Sequence, residues 1–194
     1  MTRLVFIGPP GAGKGTQAER LMRERGLLHI STGDLLRDAI KAQSALGVQA
    51  KAAVDSGGLV PDEVVIGLVE EGLEIAAGRA GYILDGFPRT VAQASALEAY
   101  LAEKNLPLDH VILFDIPLEL LEARIKTRAE QLREAEGSSR SDDNPDVLKR
   151  RVGEFIRATV QLGPFYEQRR LLRRIDARQD VEAVAAAIAS TIGA

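Results

Sequence analysis

The chain has 194 residues, 45% of them apolar and 27% charged, with a net charge of −3 and no cysteine. That length and balance fit one folded domain with a buried core and argue against disorder. Disulfides and thiolate metal sites are excluded, the net charge disfavours non-specific nucleic-acid binding, and no apolar run reaches bilayer-spanning length. Met1-Thr2-Arg3 leads straight into an apolar run, leaving no room for a cleaved leader, so a cytoplasmic address is expected. Arginine outnumbers lysine roughly three to one, and a guanidinium is the better fork for phosphate.

The first predicted element is the strand Leu4–Ile7, which runs directly into Gly8-Pro9-Pro10-Gly11-Ala12-Gly13-Lys14-Gly15-Thr16. Glycines at 11, 13 and 15 remove the Cβ atoms that would keep a backbone from curling round a polyphosphate. The helix Lys14–Arg25 then points its positive end at the same place. Lys14 is placed to reach β- and γ-phosphates, and the Thr16 hydroxyl a magnesium ion. The usual motif has its hydroxyl immediately after the lysine; here Gly15 intervenes. The expectation is a site for a nucleoside triphosphate.

Four more strands are predicted, Leu28–Ile30, Tyr82–Leu84, Val111–Ile116 and Arg173–Ile175. Between and after them lie amphipathic helices: Gly33–Lys41, Pro61–Leu73, Thr90–Glu103, Pro117–Arg133, Pro145–Arg169 and Asp180–Ile192. Short apolar strands alternating with helices predict a parallel sheet covered on both faces, with ligands outside its carboxyl edge. Two stretches break the alternation. Residues 31–60 read as a helical excursion from the sheet, and the polar stretch 129–144 as a flap between long helices, the second capped by Asp143 or Asn144. Asp34 reads as a helix-capping residue, and Asp115, followed by Ile116 and Pro117, as part of a turn. The two histidines have no metal-site spacing. Arg133, Arg150 and Arg157 read as solvated helix faces.

Five segments occur together and in order: the glycine loop, Ser31-Thr32-Gly33-Asp34, Gly58-Leu59-Val60-Pro61-Asp62, Asp85-Gly86-Phe87-Pro88-Arg89-Thr90, and Arg140-Ser141-Asp142-Asp143 followed by Arg151. In these the sequence resembles the adenylate kinase family along essentially its whole length. The resemblance implies an α/β P-loop three-layer sandwich with a five-stranded parallel sheet. It implies a core of residues 1–30, 61–126 and 141–194, an AMP-binding insertion at 31–60 and a short lid at 127–140. It also implies transfer of the γ-phosphoryl group of Mg-ATP to AMP, giving two ADP, by a cytoplasmic monomer that needs neither nucleic acid nor membrane.

By the same resemblance, Gly11, Ala12, Gly13, Lys14, Gly15, Thr16, Arg124, Arg128 and Gln179 bind ATP. AMP is held by Thr32, Arg37, Gly58, Leu59, Val60, Gly86, Phe87, Pro88, Arg89, Gln93, Arg140 and Arg151. Lys14, Arg89, Arg128, Arg140 and Arg151 serve catalysis, and Asp85 holds magnesium through water with Thr16 close by. The zinc-bearing flap of some relatives is excluded by the missing cysteines. Thr32 and Gln93 favour AMP over UMP, CMP or GMP, and a second anion site at Arg37 and Arg89 disfavours a nucleotide switch or scaffold. Two departures stand out. Ala129–Glu136 is helix-prone where short-flap relatives carry an early glycine, and Ile175-Asp176-Ala177-Arg178-Gln179 replaces the Asn-Ala-Gly that touches adenine in many of them.

Overall fold

The computed structural model describes residues 1–56, 60–117, 119–121, 123–124 and 145–193. Gly58, Leu59, Arg128, Arg133, Arg140, the flap at 129–144 with its capping Asp143 or Asn144, and most of the helix expected over Pro117–Arg133 lie outside the described residues.

The elements run β1 (Thr2–Ile7), α1 (Lys14–Arg25), β2 (Leu28–Ser31), α2 (Thr32–Lys41), α3 (Ala45–Ser56) and α4 (Asp62–Ile75). They continue with β3 (Gly81–Asp85), α5 (Val91–Glu103), β4 (His110–Asp115), α6 (Pro145–Gln168), β5 (Leu172–Asp176) and α7 (Val181–Ile192). Each predicted strand is present. The last extends by one residue at each end of Arg173–Ile175, because its partner β4 supplies ladder bonds whatever the side chain. Arg173 and Arg174 simply face solvent there.

All five strands are parallel, in the order β2-β3-β1-β4-β5. The central β1 shows how the layers arise. Leu4 and Phe6 pack with Ala18 and Leu21 of α1 and with Val184 and Ile188 of α7. Val5 and Ile7, one residue out of phase, join Val64 and Leu68 of α4, Leu97 of α5 and Leu162 of α6. Both faces of β1 are therefore apolar, and Leu4, Val5 and Phe6 are at most 1% exposed. Burying each such side chain is worth about 1.5–3 kcal/mol. In α5 the buried positions 93, 94, 97 and 101 follow helical spacing, so that helix lays one stripe on the sheet.

Helix starts are local chemistry. Thr90 accepts from the Gln93 backbone N–H and Asp180 from that of Ala183, which caps α5 and α7. At α2 the cap is the Ser31 hydroxyl and not Asp34, as the sequence led one to expect. Asp34 supplies the capped N–H from inside the first turn, and its carboxylate instead meets Arg37 at 2.5 Å. Ser31, the first residue of the expected excursion, closes β2, and residues 32–56 contain helices and a turn and no strand. No helix among the described residues is long and apolar enough to cross a membrane.

Gly81 opens β3 at φ +151°, where an added Cβ would fall 1.9 Å from the Thr2 carbonyl oxygen. The β3 ladder ends on Asp85, which lies opposite Phe6 of β1 and Ser31 of β2. With β3 on one side of β1 and β4 on the other, the chain reverses direction of travel across the sheet at the carboxyl end of β1. That is where a crevice forms in an open parallel sheet.

Candidate active site

The loop leaving β1 enters this crevice. Gly11 and Gly13 adopt φ +85° and +95°, conformations that a side chain disfavours. Gly13 is also the first boundary residue of α1 and carries no side-chain cap. The first-turn N–H groups of α1 thus face the loop. Gly15 differs: a Cβ there would meet nothing within 4 Å, so protein packing does not demand glycine at that position. The Lys14 ammonium donates to the carbonyls of Gly8 at 2.8 Å and Pro9 at 3.1 Å, which folds its stem back along the loop. Thr16 is exposed on the first turn of α1.

Asp85 stands across from that lysine, Oδ1 to Nζ at 4.0 Å, with its side chain only 13% exposed. Its other oxygen accepts from Nε2 of His29 at 3.3 Å. Burial alone would push this carboxyl up. The Lys14 charge, the His29 hydrogen bond and, more weakly, Arg89 outweigh it and hold Asp85 below the ordinary aspartate range. The group is therefore an anion at neutral pH. Sequence reading did not single out His29, which sits between Leu28 and Ile30, two residues before the end of β2.

The backbone after Asp85 turns through Gly86 at φ +81°, where a Cβ would stand 2.8 Å from the Thr32 hydroxyl and 3.4 Å from the Arg89 guanidinium. Glycine is what lets those two side chains converge. Thr32 is 2% exposed and donates to the Asp85 carbonyl at 3.3 Å. Arg89 Nε donates to the Gly86 carbonyl at 2.8 Å. Phe87 is 1% exposed, joined to Pro88 by a cis peptide bond, and its ring belongs to the core below the site. Gln93 is also 1% exposed. Its amide oxygen accepts from the Arg89 backbone N–H at 2.7 Å, and its amide nitrogen donates to Asp62 at 2.7 Å. Arg37 lies over Gly33 at the start of α2, 3.2 Å from where a Cβ would stand.

Lys14, Asp85, Thr32, Gly86, Arg89 and Gln93 are thus brought together along the carboxyl ends of β1, β2 and β3. Val60 is buried, at 8% exposure, and packs into the same core as Phe87. A second group forms near the carboxyl end of β5. There Arg124 donates to the carbonyls of Arg178 at 3.3 Å and Gln179 at 3.4 Å, so residues far apart in sequence meet. Asp115 is exposed, and its carbonyl accepts from Ala177 at 2.8 Å in the turn after β5. Arg151 lies half-buried on α6. Arg157 pairs with Glu154 and Arg150 is exposed, which makes both surface groups.

Chemically the crevice offers a glycine loop with a lysine for one polyphosphate, one ionised carboxylate, and an arginine beside a buried hydroxyl and amide for a second ligand. Magnesium takes one or two carboxylates together with phosphate oxygens and waters, and the charged Asp85 across from Lys14 fits that habit.

A family model described as "Adenylate kinase" matches residues 6–171 of this chain. The "Adenylate kinase" of Xanthobacter autotrophicus is 48% identical over 186 residues, spanning 96% of this chain and 95% of the relative. That of Azorhizobium caulinodans is 47% identical over 190 residues, spanning 98% of each. A cyanobacterial relative of the same name, from Cyanothece, is 46% identical over 188 residues, spanning 97% of this chain and 93% of its own.

Proposed function

This chain belongs to the adenylate kinase family, and from that premise we propose how its own residues carry the family's reaction. The enzyme transfers the γ-phosphoryl group of ATP reversibly to AMP, giving two ADP. In our reading, Gly11, Ala12, Gly13, Lys14, Gly15 and Thr16 cradle the ATP phosphates, and Lys14 leaves its two carbonyls for the β- and γ-phosphates. Thr16 and Asp85 would hold magnesium, Asp85 through water, and the ion would supply positive charge to neutralise the phosphates. Arg124 and Gln179 complete the ATP side.

AMP lies against Thr32, Arg37, Val60, Gly86, Phe87, Pro88 and Arg89, with Gln93 reading its base; Gly58 and Leu59 belong to the same pocket. The acceptor oxygen sits on a phosphate monoester whose second pKa is about 6, so it is already ionised and needs no general base. What remains is to align two crowded anions and neutralise them, the work of Lys14, Arg89, Arg128, Arg140 and Arg151. Water would compete as acceptor. The insertion at 31–60 and the lid at 127–140 therefore close over the nucleotides before transfer, against a core of residues 1–30, 61–126 and 141–194. The protein works as a cytoplasmic monomer.

One observation carries this reading. A glycine loop with its lysine and a separate Thr32–Arg89–Gln93 cluster flank the same ionised carboxylate, Asp85. Steady-state ADP formation from Mg-ATP with AMP, UMP, CMP or GMP offered singly tests it. Turnover with AMP far above the others is expected. Preference for another monophosphate would overturn the assignment of Thr32 and Gln93.

A further inference from the structure

Asp62 has no role in the site as described so far, yet it controls the orientation of a residue that has. It stands in the first turn of α4 and reaches the start of α5. Oδ1 accepts from Gln93 Nε2 at 2.7 Å, and Oδ2 accepts from the Thr90 hydroxyl at 3.1 Å. Thr90 in turn accepts from the Gln93 backbone N–H at 3.1 Å, so carboxylate, cap and glutamine form one connected unit. At the other end of the amide, Gln93 Oε1 accepts from the Arg89 N–H at 2.7 Å.

The two ends of a carboxamide match in shape and are opposite in hydrogen-bonding character. If the Gln93 amide turned over, its oxygen would face the Asp62 carboxylate and its NH₂ the Arg89 N–H. Acceptor would meet acceptor and donor would meet donor. The amide is therefore pinned from both sides, with Asp62 supplying the charge-assisted contact. One N–H and one oxygen lone pair stay uncommitted by these bonds, in a fixed spatial order.

We propose that Asp62 is a specificity-determining positioning residue: by fixing which end of the Gln93 amide donates, it selects a 6-aminopurine acceptor over a 6-oxopurine. The proposal rests on the reading that Gln93 meets the base. At N1 and C6, adenine presents an acceptor beside an amino donor. Hypoxanthine presents an N–H donor beside a carbonyl acceptor, the reverse order. A pinned amide complements one of these edges, whereas an amide free to turn complements either.

The test compares kcat/KM for AMP and IMP, which differ in their bases only along this edge, in the intact enzyme and in Asp62→Ala, Asp62→Asn and Gln93→Leu. In Asp62→Ala the AMP-to-IMP ratio should fall by about tenfold or more, chiefly through KM for the monophosphate, while KM for ATP holds. Asp62→Asn keeps a carbonyl acceptor for Gln93 and should retain most of the discrimination. Where Asp62→Ala does not hold its fold at the assay temperature, Asp62→Leu, which removes the acceptor but keeps a side chain branched at Cγ, is measured for the same fall. An unchanged ratio on losing the carboxylate, with KM for AMP raised in Gln93→Leu, overturns the positioning role and leaves the base contact standing. An unchanged KM for AMP in Gln93→Leu overturns the base contact itself, and the proposal with it.

Discussion

The two ends of the sheet use charge in opposite ways. At the amino ends, Arg3 and Asp109 clasp β1 to the start of β4. The carboxylate takes the Arg3 backbone N–H at 2.7 Å and its guanidinium at 3.2 and 3.3 Å. At the carboxyl ends, Lys14 donates to two neutral carbonyls and stands 4.0 Å from Asp85. A short, forked pair spends its charge on holding the fold. A cation donating to neutral carbonyls can exchange them for a phosphate, whose full charge it meets with a stronger, charge-assisted bond. Activity and stability should therefore separate along the strand direction.

Lys14→Met offers the largest break. Turnover should fall by about 10²- to 10³-fold with little change in melting temperature, as expected for one preorganised donor to developing charge. A large loss of stability would instead place Lys14 with the structural pairs. Asp85→Asn comes next, with kcat/KM down roughly 10- to 100-fold, the cost that its proposed magnesium role implies. Raising magnesium should recover part of that loss, which a Lys14 variant would not show.

The opposite pattern is expected of Asp109→Ala. It should destabilise the protein by about 1–3 kcal/mol in denaturant titration while leaving kcat and both KM values nearly unchanged. Acid sharpens the contrast. Asp85 has its pKa lowered in the folded state, so its ionised form stabilises the protein above the unfolded aspartate value of about 3.9. That contribution is lost as pH falls through the folded value. The gap in melting temperature between the native enzyme and Asp85→Asn should accordingly shift against the native enzyme below about pH 4. The smallest effect belongs to Glu98→Gln. Its pair with Arg169 lies on the surface, and melting curves should not resolve the change.

The strands, most of the described helices and the glycine loop were legible because each is signalled within a few residues. An apolar run, a capping hydroxyl or a glycine cluster needs no knowledge of what folds against it. Thr32, Arg89 and Gln93 were legible as a set through the resemblance, and the sheet order then explains why they meet. His29 and Asp62 were not singled out. His29 touches a residue 56 positions away and Asp62 one 31 positions away, so neither contact exists until β2 has paired with β3 and α4 has packed beside α5. The cap of α2 was misread for a related reason. Ser31 and Asp34 are both good capping residues, and only the end of the β2 ladder decides which one stands at the boundary. Gly15 was read as making room for a polyphosphate, and the protein's own atoms leave open space there.

β3 carries a consequence for inheritance as well as for packing. Tyr82, Ile83 and Leu84 are buried on both faces, so alternation of polar and apolar residues cannot distinguish one register from the next. Its two ends can. Gly81 is the only kind of residue that fits against the Thr2 carbonyl, and a slip by one would draw Asp85 into the apolar middle of the sheet. The five-residue strand behaves like a ruler with a stop at each end. A side chain at position 81 would touch no residue of the proposed nucleotide sites, yet it would move the carboxylate that faces Lys14. Tolerance to mutation at the sheet's far edge is thus governed by chemistry performed on the other side of the molecule.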